Sequence, residues 1–117
     1  MPSNEKPRET LQELLRRYVS EDTYSFSGFD RIEVNTVGQE QETPLHMAVT
    51  RQAIDDVRLL LAGGANVNAQ TNIGSTPLNR AVGAGDIEIV RVLLDAGADQ
   101  SLASVFGATP LKRAEMK

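Results

Sequence analysis

The stretches TPLHMAV (residues 43–49), TPLNRAV (76–82) and TPLKRAE (109–115) decide the fold of this chain of 117 residues. Each of the later two begins 33 residues after the one before it. A fixed period of about 20–50 residues is typical of repeat arrays, in which each unit buries an apolar side against its neighbour. The sequence therefore predicts a stacked array.

The repeated Thr-Pro-Leu predicts the start of a short helix in each unit. A threonine N-cap accepts a hydrogen bond from an early helical amide, and proline at the next position loses no hydrogen bond there. The predicted N-caps are Thr43, Thr76 and Thr109. Leu45 and Ala48 lie three residues apart, as do Leu78 and Ala81, so each helix has a small apolar stripe that lets its neighbour come close.

A second helix is predicted after each of the first two, from apolar residues at positions i, i+3, i+6 and i+7. These residues are Ile54, Val57, Leu60 and Leu61, then Ile87, Val90, Leu93 and Leu94. Gly64 and Gly97 follow the helices, where a left-handed C-cap suits glycine. Asn35 and Asn68 are predicted to brace the connecting hairpins with their side-chain amides. Two short helices cannot bury both apolar sides alone, so the units must stack.

With both helices and the glycines in phase, the unit resembles the ankyrin repeat, in which Thr-Pro-Leu-His-x-Ala opens the first helix and a Gly-Ala-Asp-like loop closes the unit. The resemblance covers residues 33–117 and implies an all-α solenoid of stacked antiparallel helix pairs with projecting hairpin loops. The implied units are 33–65, 66–98 and a partial third unit at 99–117. We refer to the first two as the first and second unit.

His46 is the single histidine, and it falls on a position of the motif that Asn79 and Lys112 hold in the other units. The resemblance implies that its imidazole bridges the backbones of neighbouring loops. A catalytic role is not expected, because the chain has no cysteine, no glycine-rich phosphate loop followed by lysine, and no carboxylates in metal-loop spacing. We therefore expect neither enzymatic activity nor a cofactor or metal.

Two departures from the motif predict local differences between the units. Gln52 stands where the second unit has Gly85, which predicts a differently built bend between the two helices. Gln41 stands where the later units have Gly74 and Gly107, which predicts an irregular first hairpin.

Residues 1–32 are predicted to form an N-terminal capping helix and loop. Leu11, Leu14 and Tyr18 repeat the spacing of the second-helix face, and charged residues lie elsewhere on this helix. A solenoid needs such a terminal cap with a polar outer face, and we expect Phe26, Phe29 and Ile32 to tuck in behind it. The alternative is an amphipathic helix of the membrane-surface or calmodulin-binding type, although its charge is mixed and it is short.

The third unit stops at Lys117 without a second helix. The second helix of the second unit, especially Ile89 and Val92, is therefore expected to lack part of its cover. Three explanations stay open: the array continues in a longer chain, the short last helix is a sufficient cap, or a second molecule covers the gap. The last explanation predicts self-association through the C-terminal face.

Composition excludes several classes of protein. The net charge is −4 and no basic patch is evident, which argues against a nucleic-acid binder. The apolar runs are too short to cross a bilayer, so no membrane association is expected. The polar first residues do not read as a signal peptide, and cysteine is absent. A cytoplasmic location is the resulting expectation.

The resemblance implies a non-enzymatic module that binds another protein through the concave surface of its loops and first helices. An immunity-type inhibitor of a bacterial toxin and a self-associating structural module remain alternatives. Ile73 and Phe106 stand out, because bare apolar surface at a projecting tip is typical of an interaction site. The contact residues implied by alignment are Gln39, Glu40, Glu42, Met47, Thr50, Arg51, Asn72, Ile73, Ser75, Arg80, Val105, Phe106 and Ala108.

Overall fold

The structure, a computed structural model, describes residues 9–21 and 24–102. In these two ranges the regular structure is helical, and there is no β-strand. Their order is α1 (Leu11–Glu21), a 3-10 turn (Gln39–Gln41), α2 (Pro44–Thr50), α3 (Ile54–Ala62), α4 (Pro77–Ala84) and α5 (Ile87–Asp95). Within the described ranges, none of the helices has the length and hydropathy needed to span a membrane. The all-α prediction is confirmed.

The helices form stacked pairs. Within each unit the first helix packs on the second, α2 on α3 and α4 on α5. Between units, α2 packs on α4 and α3 packs on α5, while α1 packs on α3 from the other side. Helices of the same kind therefore lie side by side, as a solenoid of 33-residue units requires.

The first helices begin where the sequence predicts. The Thr43 hydroxyl accepts a hydrogen bond from the His46 amide, the Thr76 hydroxyl accepts one from the Asn79 amide, and each threonine is followed by proline at the first helical position. The third predicted N-cap, Thr109, lies outside the described residues. The two first helices therefore begin with the same N-cap, and the hairpin before each helix ends at the equivalent residue.

One apolar core runs through the stacked helices. The predicted stripe residues Leu45, Ala48, Leu78 and Ala81 are buried in it. The second helices add Val57, Leu60, Ile89 and Leu93, and the N-terminal segment adds Leu14, Leu15, Tyr18, Phe26 and Ile32. Phe29 was expected to be buried as well, but it is exposed, and its ring meets that of Phe26 edge to face, with the ring centres 6.4 Å apart.

The expectation that Ile89 lacks cover is wrong, because Ile89 is fully buried. Its equivalent in α3 is Asp56, which accepts a hydrogen bond of 2.8 Å from the Tyr18 hydroxyl of α1. This position of the second helix therefore faces the preceding layer, which is α3 in the case of Ile89. On α5, Ile87 and Leu94 are 70% and 37% exposed, while Val92 is partly buried.

The bend between the two helices is built alike in both units, which corrects a second expectation. Gln52 has φ 56° and Gly85 has φ 73°, so both lie in the left-handed region. The Gln52 amide donates to the carbonyl of Val49 at 2.9 Å, and the Gly85 amide donates to that of Val82 at 3.0 Å. The chain makes the same turn, and glutamine adopts the conformation that glycine favours.

The first hairpin also keeps the hydrogen bonds of the second. The Gly38 amide donates to the Glu42 carbonyl at 2.8 Å, as the Thr71 amide donates to the Ser75 carbonyl at 3.0 Å. Gln41 takes the left-handed conformation of a hairpin glycine, with φ 61°. The expected irregularity appears at Glu40, which is left-handed too, with φ 57°, and in the 3-10 turn Gln39–Gln41, where the Glu42 amide donates to the Gln39 carbonyl at 3.0 Å.

Gly63 makes room for the N-terminal helix. Its φ of −85° suits any residue, and the equivalent position in the second unit is Ala96 with the same φ. A Cβ at Gly63 would lie only 2.5 Å from Cδ2 of Leu11. The glycine is therefore needed for the close approach of α1 and not for the backbone conformation.

Candidate protein-binding surface

Three loops lie side by side along one edge of the molecule. The Gln39 amide of the first hairpin donates to the Ser25 carbonyl at 2.7 Å, which joins this hairpin to the segment after α1. On its other side, the Glu40 carbonyl accepts a hydrogen bond of 3.0 Å from the Asn72 amide of the second hairpin. We give the name tip row to one exposed residue from each of these loops: Tyr24, Glu40 and Ile73.

Asparagine side chains hold the bases of the hairpins together, as predicted. The Asn35 side-chain oxygen accepts from the Asn66 amide at 2.8 Å, and its nitrogen donates to the Gly64 carbonyl at 3.1 Å. The Asn68 oxygen accepts from the Asp99 amide at 2.8 Å, one unit further on. Each loop is thus fixed to the next by the same bond.

His46 links the two hairpins from below, which confirms its structural role. Nδ1 accepts a hydrogen bond of 3.2 Å from the Thr43 amide, so the proton lies on Nε2, which donates to the Ser75 carbonyl at 2.9 Å. The side chain is fully buried. Burial lowers the pKa of His46 below its ordinary value of 6.5, and the charge of Arg80 lowers it further. The ring is therefore neutral near pH 7.

Three of the predicted contact residues form one network across the two units. The Arg80 guanidinium of α4 makes two hydrogen bonds to the Glu42 carboxylate of the first hairpin, one of them 2.7 Å from Nη1 to Oε1. The same Nη1 donates to the Thr50 hydroxyl of α2 at 3.1 Å. Glu42 is buried and Arg80 is partly buried. The pair holds the layers together underneath the exposed surface.

Arg51 is turned toward the N-terminal helix and away from the hairpins. Its guanidinium carbon lies 4.5 Å from the centre of the Tyr18 ring, a cation–π geometry. It also donates to the Glu21 carboxylate at 3.0 Å. The two arginines of the predicted surface are therefore both engaged within the protein.

The structure separates the remaining predicted residues by exposure. Met47 is partly buried, and its sulfur accepts a hydrogen bond from the Ser25 hydroxyl at 3.4 Å. Ser75 is buried beneath the second hairpin. The exposed ones are Gln39, Glu40, Thr50, Arg51, Asn72 and Ile73. Val105, Phe106 and Ala108 lie outside the described residues, so their place at the surface stays a prediction.

Tyr24 belongs to this surface, although the sequence reading did not select it. It is 61% exposed, and its hydroxyl donates to Oε1 of Glu40 at 3.3 Å. The charge of Glu40 raises the pKa of Tyr24. Tyr24 lies before residue 33, where the aligned units begin, so the alignment of the units did not point to it.

Comparison with known proteins agrees with this architecture. A family model described as ankyrin repeats (3 copies) matches residues 3–104. Alpha-latrocrustotoxin-Lt1a of Latrodectus tredecimguttatus is 50% identical over 40 residues, which cover 34% of this chain and 3% of the toxin. The chain thus spans only a small part of the length of that relative. Since the family model covers most of the chain and includes α1, the chain belongs to the ankyrin repeat family.

Proposed function

We propose that the chain is a non-enzymatic module that binds a protein partner through its hairpin tips and the exposed side of its first helices. Ankyrin repeats are generally protein–protein interaction modules. The observation that supports this surface is the backbone hydrogen bond between Asn72 and Glu40, which fixes one projecting tip to the next. A partner would therefore meet a preorganised surface and lose less free energy to ordering it.

The buried network supports the same proposal. Glu42, His46 and Arg80 join the two units below the surface, so the exposed residues above them can change without a change of fold. Thr50 and Asn72 are the exposed polar positions that test the first helix and the tip separately. The Thr50 hydroxyl also accepts a hydrogen bond from Arg80, so thermal unfolding must show that Thr50→Arg stays folded.

The experiment is a binding measurement with a partner isolated by the wild-type chain, identified, and then purified. Asn72→Arg and Thr50→Arg should each weaken the affinity about tenfold or more, since a bulky charge at either position blocks close contact. Arg58→Glu, on the exposed side of α3, is the control and should leave the affinity unchanged. An interface that tolerates both substitutions but is lost in Arg58→Glu would place binding elsewhere and contradict the proposal.

Self-association is a second candidate, favoured by the exposed apolar side chains Ile87 and Leu94 of α5. Ile54 and Leu61 of α3 are partly buried, because α5 packs on their helix. The equivalent Ile87 and Leu94 of α5 are exposed, and bare side chains of this size favour a further contact.

The charges on α5 suit a second copy of the chain as the covering molecule. Glu88 and Arg91 are both exposed, between the two apolar residues. Across a two-fold axis that pairs Ile87 of one copy with Leu94 of the other, Arg91 of each copy comes near Glu88 of its partner. Sedimentation equilibrium should show a dimer that Arg91→Glu weakens and the double change Glu88→Arg with Arg91→Glu restores. A wild-type monomer over about a hundredfold range of concentration would exclude this candidate.

A further inference from the structure

We propose that the tip row recognises a partner segment that carries a lysine or arginine next to apolar side chains. This inference rests on the proposed function and deepens it by naming the chemistry of the partner. Tyr24, Glu40 and Ile73 carry it, since they place a carboxylate between two exposed apolar groups on three neighbouring loops.

The geometry of the tip row is fixed by hydrogen bonds. Backbone bonds from Gln39 to Ser25 and from Asn72 to Glu40 set the order of the three loops. The Tyr24 hydroxyl binds the Glu40 carboxylate at 3.3 Å and so orients it. Tyr24 is 61% exposed and Ile73 is 42% exposed on either side. The row is thus a charged centre with an apolar group on each flank.

Charge around the tip row favours a cation. The first hairpin, residues 38–42, carries two carboxylates, Glu40 and Glu42, and no basic residue. Glu42 is neutralised by Arg80. Among the ion pairs of the described residues, none includes Glu40, and the group that binds its carboxylate is an uncharged hydroxyl. The Glu40 carboxylate therefore attracts a basic segment and speeds its association.

The basic residues of the surface do not offset this preference. Arg80 is held by Glu42 and Thr50, and Arg51 is held by Glu21 and the Tyr18 ring. An acidic partner would have to break these contacts before it could pair with Arg80 or Arg51. A basic side chain needs no such rearrangement, because it can pair with Glu40 while its stem or its guanidinium plane lies on the exposed Tyr24 ring.

The test is selection from a displayed library of random peptides of about twelve residues on the immobilised chain, followed by anisotropy measurements of the enriched sequences. Enriched peptides should carry lysine or arginine beside an apolar residue. Glu40→Lys should weaken their binding about tenfold or more, and Ile73→Ser should weaken it as well. Tyr24→Phe, which keeps the ring, should weaken it less than Tyr24→Ala.

The control is Asp95→Lys, the same change of charge at an exposed position in the last turn of α5. It should leave peptide affinity unchanged, and thermal unfolding should show that each variant is folded. Enrichment of acidic or uncharged peptides, no enrichment at all, or equal losses in Glu40→Lys and Asp95→Lys would each overturn the inference. Binders that are lost in Thr50→Arg and Asn72→Arg but kept in Glu40→Lys would overturn the inference alone and leave the proposed function standing.

Discussion

At the bend between α2 and α3, Gln52 adopts a backbone conformation that Gly85 adopts at the equivalent bend of the second unit. A left-handed conformation costs a residue with a Cβ about 1–2 kcal/mol, and glycine avoids that cost. A glycine at this position also increases the conformational entropy of the unfolded chain, which offsets part of the stability gained by removing the strain.

We therefore expect Gln52→Gly to raise the free energy of unfolding by about 0.5–1 kcal/mol. The reverse change, Gly85→Gln, should lower it by a similar amount, since its backbone has the same sign of φ. Urea unfolding followed by circular dichroism measures both. Equal stability of Gln52→Gly and wild type would show that glutamine adopts this conformation without a measurable strain energy.

His46 makes stability depend on pH. Burial and Arg80 lower its pKa in the folded state, while Ser75 and Glu42 partly oppose this. The unfolded chain therefore binds a proton more readily below about pH 6.5, and stability must fall as the pH falls through that value.

The expected result is a lower free energy of unfolding at about pH 5 than at about pH 7. His46→Asn should remove this dependence, because asparagine does not titrate and already fills the equivalent position as Asn79. The carboxyl groups of Glu9, Glu13 and Asp99 also have lowered pKa values, but their ordinary values are 4.5 or below. Their contribution to stability is therefore lost at a lower pH than that of His46. A His46→Asn variant with the wild-type pH profile would contradict the assignment.

At the scale of the element, the N-terminal helix packs on α3 through a few specific contacts. Its Tyr18 and Arg17 bind Asp56 of α3, with the Arg17–Asp56 ion pair at 3.0 Å. Leu11 reaches over the end of α3 at Gly63. Hydrogen bonds and an ion pair to Asp56 thus hold α1 against α3, and Gly63 permits close packing at the end of α3.

We expect Gly63→Ala to destabilise the chain by about 1 kcal/mol, because the new Cβ displaces Leu11. In a Leu11→Ala background the same change should cost nothing or add slightly to stability, since alanine is the better helix former. A double-mutant cycle of thermal or urea unfolding gives the coupling between the two positions. Additive effects would mean that Leu11 and Gly63 do not touch.

Much of the element scale could be predicted from the sequence. Thr43 and Thr76 mark helix starts through local chemistry, which a period of 33 residues makes visible. The exposure of Ile87 could not be predicted, because periodicity tells which residues share a face and not which neighbour that face meets. The burial of Glu42 depends on Arg80, which lies in the next unit, and Tyr24 belongs to no unit of the period. The candidate site was therefore predicted less fully than the fold.

At the scale of the whole molecule, the fold separates support from recognition. Leu78 is buried between the layers, whereas Ile73 projects from the tip five residues earlier. In a stacked array each layer is stabilised by its neighbours, so the loss of a buried contact between layers weakens the whole array.

Leu78→Ala should therefore lower the free energy of unfolding by about 2–5 kcal/mol, as for other buried truncations. Ile73→Ala is the matched change at an exposed position and should stay within about 0.5 kcal/mol of wild type. Urea unfolding of the two variants side by side is the measurement. A large loss in Ile73→Ala would show that this side chain packs on the adjacent tip and supports the fold, so that it could not be free for a partner. A small loss in Leu78→Ala would contradict stacking by aliphatic contacts between the units.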